Sequence, residues 1–244
     1  MQLDTDTLKD AAQRLWMNMC APTCDGTLIP ADVYRAYRDG AASGIEFVVG
    51  IINGEVRAFR ASFGSKNYED ALNAAVDELQ NGMDDSIAEE VQTYLRAQTA
   101  SSSELEARSK LMEQWIALGI YRIATTLAQG GNKVHLMLWD EKALIEKLGS
   151  GTADVLATLL GNGEALQMYG SMMNEDVSAM LQALLEKFVS GDALQLYRNE
   201  IKGIDSFDWK AFPQALIVAD GEITCAAIED RITEVKGLVD YTVR

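Results

Sequence analysis

His135 is the single histidine of 244 residues, and it falls inside the apolar run Lys133–Trp139 (KVHLMLW). An imidazole can take a proton near neutral pH or bind a metal, but either role needs partners. No second ligand group stands nearby in sequence, so His135 reads as a packed or hydrogen-bonded strand residue. Asp84-Asp85 and Glu89-Glu90 are paired carboxylates of the kind glycoside chemistry uses. On helical sequence they read instead as a solvated face. Gly149-Ser150-Gly151 and Gly161-Asn162-Gly163 lack the Lys-Ser/Thr of a phosphate loop and the spacing of a dinucleotide loop. The nucleophile elbow Gly-x-Ser-x-Gly does not occur. Cys20, Cys24 and Cys225 are too few and odd in number for a disulfide framework, and no His or further Cys pair completes a metal set. The expected cofactors and metals are therefore none.

The elements that must position any site begin with Ile45–Ile52, apolar on both faces. Such a strand needs cover on both sides, which is the habit of parallel sheets inside α/β folds. Lys133–Trp139 is a second strand and Ala215–Ala219 a third. Glu222–Ile228 pairs back on the third across Asp220-Gly221, a hairpin signal. Helices are expected over 3–19, ended by Pro22, and over 32–38, stopped at Gly40. A third helical stretch, 67–97, is broken near Gly82. A long helix over 104–129 follows the polar linker Thr99–Ser103 and stops at Gly130-Gly131; its stripe includes Leu105, Met112, Ile116, Ile120 and Leu127. Further helices are expected over 156–160 and 164–189, with a helix or strand near 229–240. The order predicts an α/β fold: a small, mostly parallel sheet of three or four strands with many covering helices, in a single domain spanning 1–244.

Composition is that of a globular chain, 48% hydrophobic and 24% charged, with a formal charge of −16. A surface this acidic repels phosphate backbones and anionic lipid, which argues against nucleic-acid and membrane partners. No run of 18 apolar residues occurs, and the N-terminal MQLDTDTLKD has no basic region before an apolar core. The expected compartment is the cytoplasm.

Pro22-Thr23-Cys24-Asp25-Gly26 followed by Pro30 resembles a segment of the type B carboxylesterases, the cholinesterase-like branch of the α/β-hydrolases. In that family a short helix, a Gly, an apolar strand ending in Gly and then a Glu follow. Here the same order holds through Tyr34, Gly40, Ile45–Val49, Gly50 and Glu55, with Phe59 matching the family's aromatic residue. The residues flanking the Glu depart from the pattern, being Gly54 and Val56. Gly149–Asn162 (GSGTADVLATLLGN) is similar to the segment bearing the family's catalytic His, whose place falls at about Thr152. Phe188–Asp192 and Trp209–Pro213 resemble the late-helix end and the Trp-containing turn that follows, and Leu216–Asp220 the last strand.

The resemblance implies the C-terminal half of a carboxylesterase, with Glu55 at the acid position of the triad. A Ser–His–acid enzyme also needs a nucleophile, an imidazole and oxyanion donors. With Thr152 at the His position and no nucleophile elbow, the expectation is an incomplete carboxylesterase-like protein without esterase activity on its own, Glu55 being a remnant. Two alternatives stand beside it: a non-catalytic interaction or oligomerisation domain of α/β-hydrolase ancestry, and one half of a split carboxylic-ester hydrolase. In the parent fold the strand 45–52 would lie beside strands of the other half. A homo-oligomer, or a partner chain covering that edge, is therefore expected.

Overall fold

The computed structural model describes residues 26–56, 65–141, 151–168, 174–197, 206–235 and 237–239. The expected helix 3–19, Cys20, Cys24 and Phe59 lie outside the described residues. Asp32 caps the first described helix, α1 (Val33–Arg38), its carboxylate accepting from the Arg35 N–H. The chain then enters β1 (Glu46–Ile52). Two helices follow, α2 (Ser65–Asn81) and α3 (Asp85–Thr99), and the break between them contains Gly82. Ser103 starts α4 (Glu104–Gln129) by accepting from the Glu106 N–H at 3.2 Å. A side chain at Gly130 would overlap the Tyr37 carbonyl, so α4 has to end on glycine there, where α1 crosses it. Gly131, at φ +82°, turns the chain into β2 (Lys133–Trp139).

After β2 come α5 (Thr152–Leu159), α6 (Gly163–Met168) and α7 (Glu175–Ser190). The continuous helix expected over 164–189 is thus two helices. Asn174 accounts for the second start, because its side-chain oxygen accepts from the N–H groups of Asp176 and Val177. Two short strands, β3 (Gln195–Tyr197) and β4 (Ser206–Asp208), pair antiparallel in a small second sheet. Three-residue strands are too short to show alternation, so sequence periodicity missed them. Next come β5 (Gln214–Ala219), β6 (Glu222–Ala227) and α8 (Glu229–Ile232), and residues 237–239 are again helical. Asp220 and Gly221 both have positive φ, 51° and 78°, the tight turn that Asp-Gly favours.

The main sheet has the order β1-β2-β5-β6; the first three strands are parallel and β6 is antiparallel. Alternation along the strands splits the core into two layers. Val134, Leu136, Leu138, Ala215, Ile217 and Ile51 face α4, where they meet Leu111, Leu118 and Ala124. Met137, Trp139, Leu216 and Val218 face the other way, onto Val177, Leu181 and Leu184 of α7 and Val155 of α5. This is the expected α/β class, a small mostly parallel sheet with helices on both faces. Among the described residues no helix is long and apolar enough to cross a membrane.

Candidate functional site

Parallel α/β sheets present chemistry beyond the carboxyl ends of their strands. Three loops meet there. After β1, Asn53 donates from its backbone to the Trp139 carbonyl and from its side chain to the Asp140 carboxylate, both at 2.8 Å. After β2, the Asp140 N–H donates to the Val218 carbonyl, and the Glu141 carboxylate accepts from the Gly221 N–H at 2.7 Å. The first loop is thereby fastened to the second, and the second to the β5–β6 turn.

Glu55 stands on the first loop. Gly54, buried and at φ +95°, takes a backbone conformation that a side chain would strain. That turn starts a helical segment at 55–56, in which Val56 is buried and Glu55 half-buried. The structure places Glu55 beyond the carboxyl end of β1, on a loop anchored by Asn53. Asn53, Asp140 and Glu141 carried no motif. The available signal was only that each follows directly on an apolar strand.

His135 is elsewhere. It pairs in register with Val48, so the end of β1 at Ile52 lies four residues, about 13 Å, further along the strand, and Glu55 lies beyond that. Its ring is 2% exposed and packs edge-on against Trp209 with centroids 5.5 Å apart. Its Nε2 donates to Glu46 Oε1 at 2.9 Å, and the Lys133 ammonium lies 2.6 Å from that same oxygen. Burial pushes the imidazole below its ordinary value, against the pull of the Glu46 carboxylate. The geometry agrees with that direction. Among the described residues Nδ1 has no hydrogen-bond partner, which suits a bare lone pair and would strand a proton. The hydrogen bond from Lys133 is the main cause holding Glu46 below the usual carboxylate value, ahead of the opposing burial. The histidine therefore ties β1 to β2 at the amino end of the sheet, as expected of a strand-centre imidazole.

Thr152 is the first residue of α5, and Gly151, just before it, donates its N–H to the Asp154 carboxylate at 2.9 Å. Helix α5 lies over the α7 face of the sheet, with Val155 in that core. The paired acids are surface groups: Asp84 and Asp85 open α3, and Glu89 and Glu90 are exposed along it. Gly161 and Asn162 are structural, joining α5 to α6 through a positive φ at Gly161 and a hydrogen bond from the Ala165 N–H to Asn162 Oδ1. Among the described residues no three His, Cys, Asp or Glu side chains gather as a metal site would require.

No protein-family model matches the chain, and no curated protein matches it in sequence. Solved structures do resemble it. The carboxylesterase of Geobacillus stearothermophilus superposes with a TM-score of 0.66 at 18% identity, covering 100% of this chain and 50% of that one. The chain thus spans about half the length of the esterase it resembles. At this identity the likeness is one of fold: the chain has a partial, esterase-like α/β-hydrolase fold.

Proposed function

We propose that the chain is the second half of a type B carboxylesterase-like unit, forming one domain, and that it does not hydrolyse esters through these 244 residues alone. The observation that carries this reading is the half-length structural match together with the position of β1. The chain matches 50% of the esterase, and among the described residues its first parallel strand is the outermost of the sheet. Glu55 takes the triad acid's place at the carboxyl end of that strand. Its function as an acid would need an imidazole and a serine brought by other chain, because His135 is engaged at the opposite end and Thr152 stands at the histidine's place.

A second reading has its own support. Ile45 is 53% and Val48 39% exposed, on and beside a strand of apolar sequence. A bare apolar edge strand is a template for pairing. In this reading the protein is an interaction module whose β1 edge takes a partner chain or a second copy.

Hydrolysis of p-nitrophenyl acetate, measured with the solution mass of the purified chain, separates the two. An inert monomer is expected from the first reading. An inert, stable dimer that Val48→Lys converts to monomer favours the second. Turnover abolished by Glu55→Ala refutes both and makes the chain an esterase in its own right.

A further inference from the structure

Half of the large apolar side chains exposed among the described residues belong to one pair of neighbouring helices. They are Leu156 and Leu160 at α5 and Leu185 and Val189 on α7, with Leu160 73% and Val189 77% exposed. Single exposed apolar residues are ordinary, whereas a cluster marks an interaction surface.

The two pairs adjoin. Helix α5 rests on one flank of α7: the Ser178 hydroxyl donates to the Thr158 carbonyl at 2.6 Å, and a side chain at Gly161 would overlap the Gln182 amide. Ser178, Gln182, Leu185 and Val189 follow one another at intervals of four, three and four residues, so they share that flank. Helix α5 and the turn after it cover the first two. Leu185 and Val189 carry the stripe on beyond that cover. Leu160 directly precedes Gly161, at the step where the covered part gives way to the bare part, and Leu156 stands one turn behind it.

The rim is acidic. Glu186 adjoins Leu185, Asp192 follows Val189 by three residues and Glu164 follows Gly161 by three, and all three carboxylates are exposed. Lys187 is the one cation of α5, α6 and α7 among the described residues. It lies about 200° round the helix from Leu185, on the far flank. A second copy of the chain would bring the same carboxylates to the same rim, and anionic lipid would be repelled likewise. Strand addition has no template here, because helices spend their backbone groups internally. The match is a helix with apolar residues at i, i+3, i+4 and i+7 and with lysine or arginine beside that stripe.

We propose that the α5–α7 surface docks a cationic amphipathic helix of a partner protein. The apolar stripe of that helix seats on Leu156, Leu160, Leu185 and Val189, and its cations face Glu164, Glu186 and Asp192. The surface shares no residue with the β1 edge and needs no ester chemistry.

The test is fluorescence anisotropy of a labelled leucine–lysine helix of about 18 residues, long enough to fold on contact, titrated with the full chain. Two controls carry the same label: one with its leucines dispersed round the helix, and one with glutamate in place of lysine. The amphipathic cationic peptide is expected to bind saturably, and each control roughly tenfold more weakly or worse. Leu160→Ser and Val189→Ser are each expected to weaken binding by roughly tenfold, while Val48→Ser, at an exposed apolar position on β1, leaves it unchanged. All three positions are exposed, and circular dichroism verifies that the variants keep the fold. Absence of saturable binding by the leucine–lysine helix overturns the proposal. So does equal binding of the dispersed control, which makes the attraction one of net charge alone, or binding indifferent to both α5–α7 substitutions. A dimer of the chain by itself that Leu160→Ser dissolves, measured by sedimentation, also overturns it by making a second copy the occupant.

Discussion

Strands β1 and β2 are neighbours, in register, and alike in sequence, yet they meet different surroundings. From Val134 onward every residue of β2 is buried, whereas in β1 only Ile51 is. The α4 face of β1 is covered in the same manner as that of β2: Phe47, Val49 and Ile51 pack into the α4 core beside Leu136 and Leu138. The other face differs. Over β2, Met137 and Trp139 are roofed by α7, α5 and Trp209, while Val48 and Gly50 of β1 are exposed on that side. An apolar strand therefore signals a capacity for burial on two faces. Whether that capacity is met depends on which elements reach it.

Substitutions that probe this contrast should separate widely. The largest effect is expected at Leu136, fully buried in β2, where Leu136→Ala should lower stability by about 2–5 kcal/mol in urea denaturation. Its register partner Val49 and the adjacent Val48 belong to β1. Val48→Ala should stay within about 0.5 kcal/mol by the same measurement, since its side chain is already wet. A large loss at Val48 would mean that β1 is covered in solution. Trp209→Phe should fall between, at about 1–3 kcal/mol, because it removes the indole donor from the Leu136 carbonyl, now 3.1 Å away, on the roofed side only.

The smaller expected effect is on pH dependence, at the tie that holds the two strands together. His135 has a folded-state value below its ordinary 6.5, so the folded protein binds fewer protons there than the unfolded chain. Its contribution is complete above about pH 6.5 and is lost as pH falls through the lowered folded value. Glu46, also lowered from 4.5, adds a second loss further into acid. Stability should therefore decline on the acid side, and His135→Phe should flatten the part between neutrality and pH 5 while keeping a ring against Trp209. Urea midpoints measured across that range check this. An unchanged slope would mean that the imidazole does not stay neutral in the fold.

At the two ends of the sheet, the chemistry divides in a way that only partly followed from residue types. The amino end holds a histidine, a glutamate and a lysine within hydrogen-bond reach, the set most suggestive of catalysis by composition, and uses it to join two strands. The carboxyl end holds Glu55 and the Asn53–Asp140 and Glu141–Gly221 bonds, which no motif announced. The Glu46–His135 pair is separated by 89 positions, so only strand register could bring it together.

Short-range physics determined the elements. Continuous apolar runs marked β1, β2 and β5; Asp32 and Ser103 marked helix starts, Gly130 a helix end and Asp220-Gly221 a hairpin turn. Each is a bond or steric limit within a few residues of its cause. The same locality explains the failures. The break at Asn174 and the three-residue strands β3 and β4 leave almost no periodic trace. What the tertiary structure alone decided was strand order, the bonding of His135 to Glu46 and not to Glu55, the bonding of Gln114 to Tyr94, Thr233 and Glu234, and the exposure of one face of β1. These depend on contacts between residues far apart in the chain, and a single sequence carries no record of which distant partner each side chain meets.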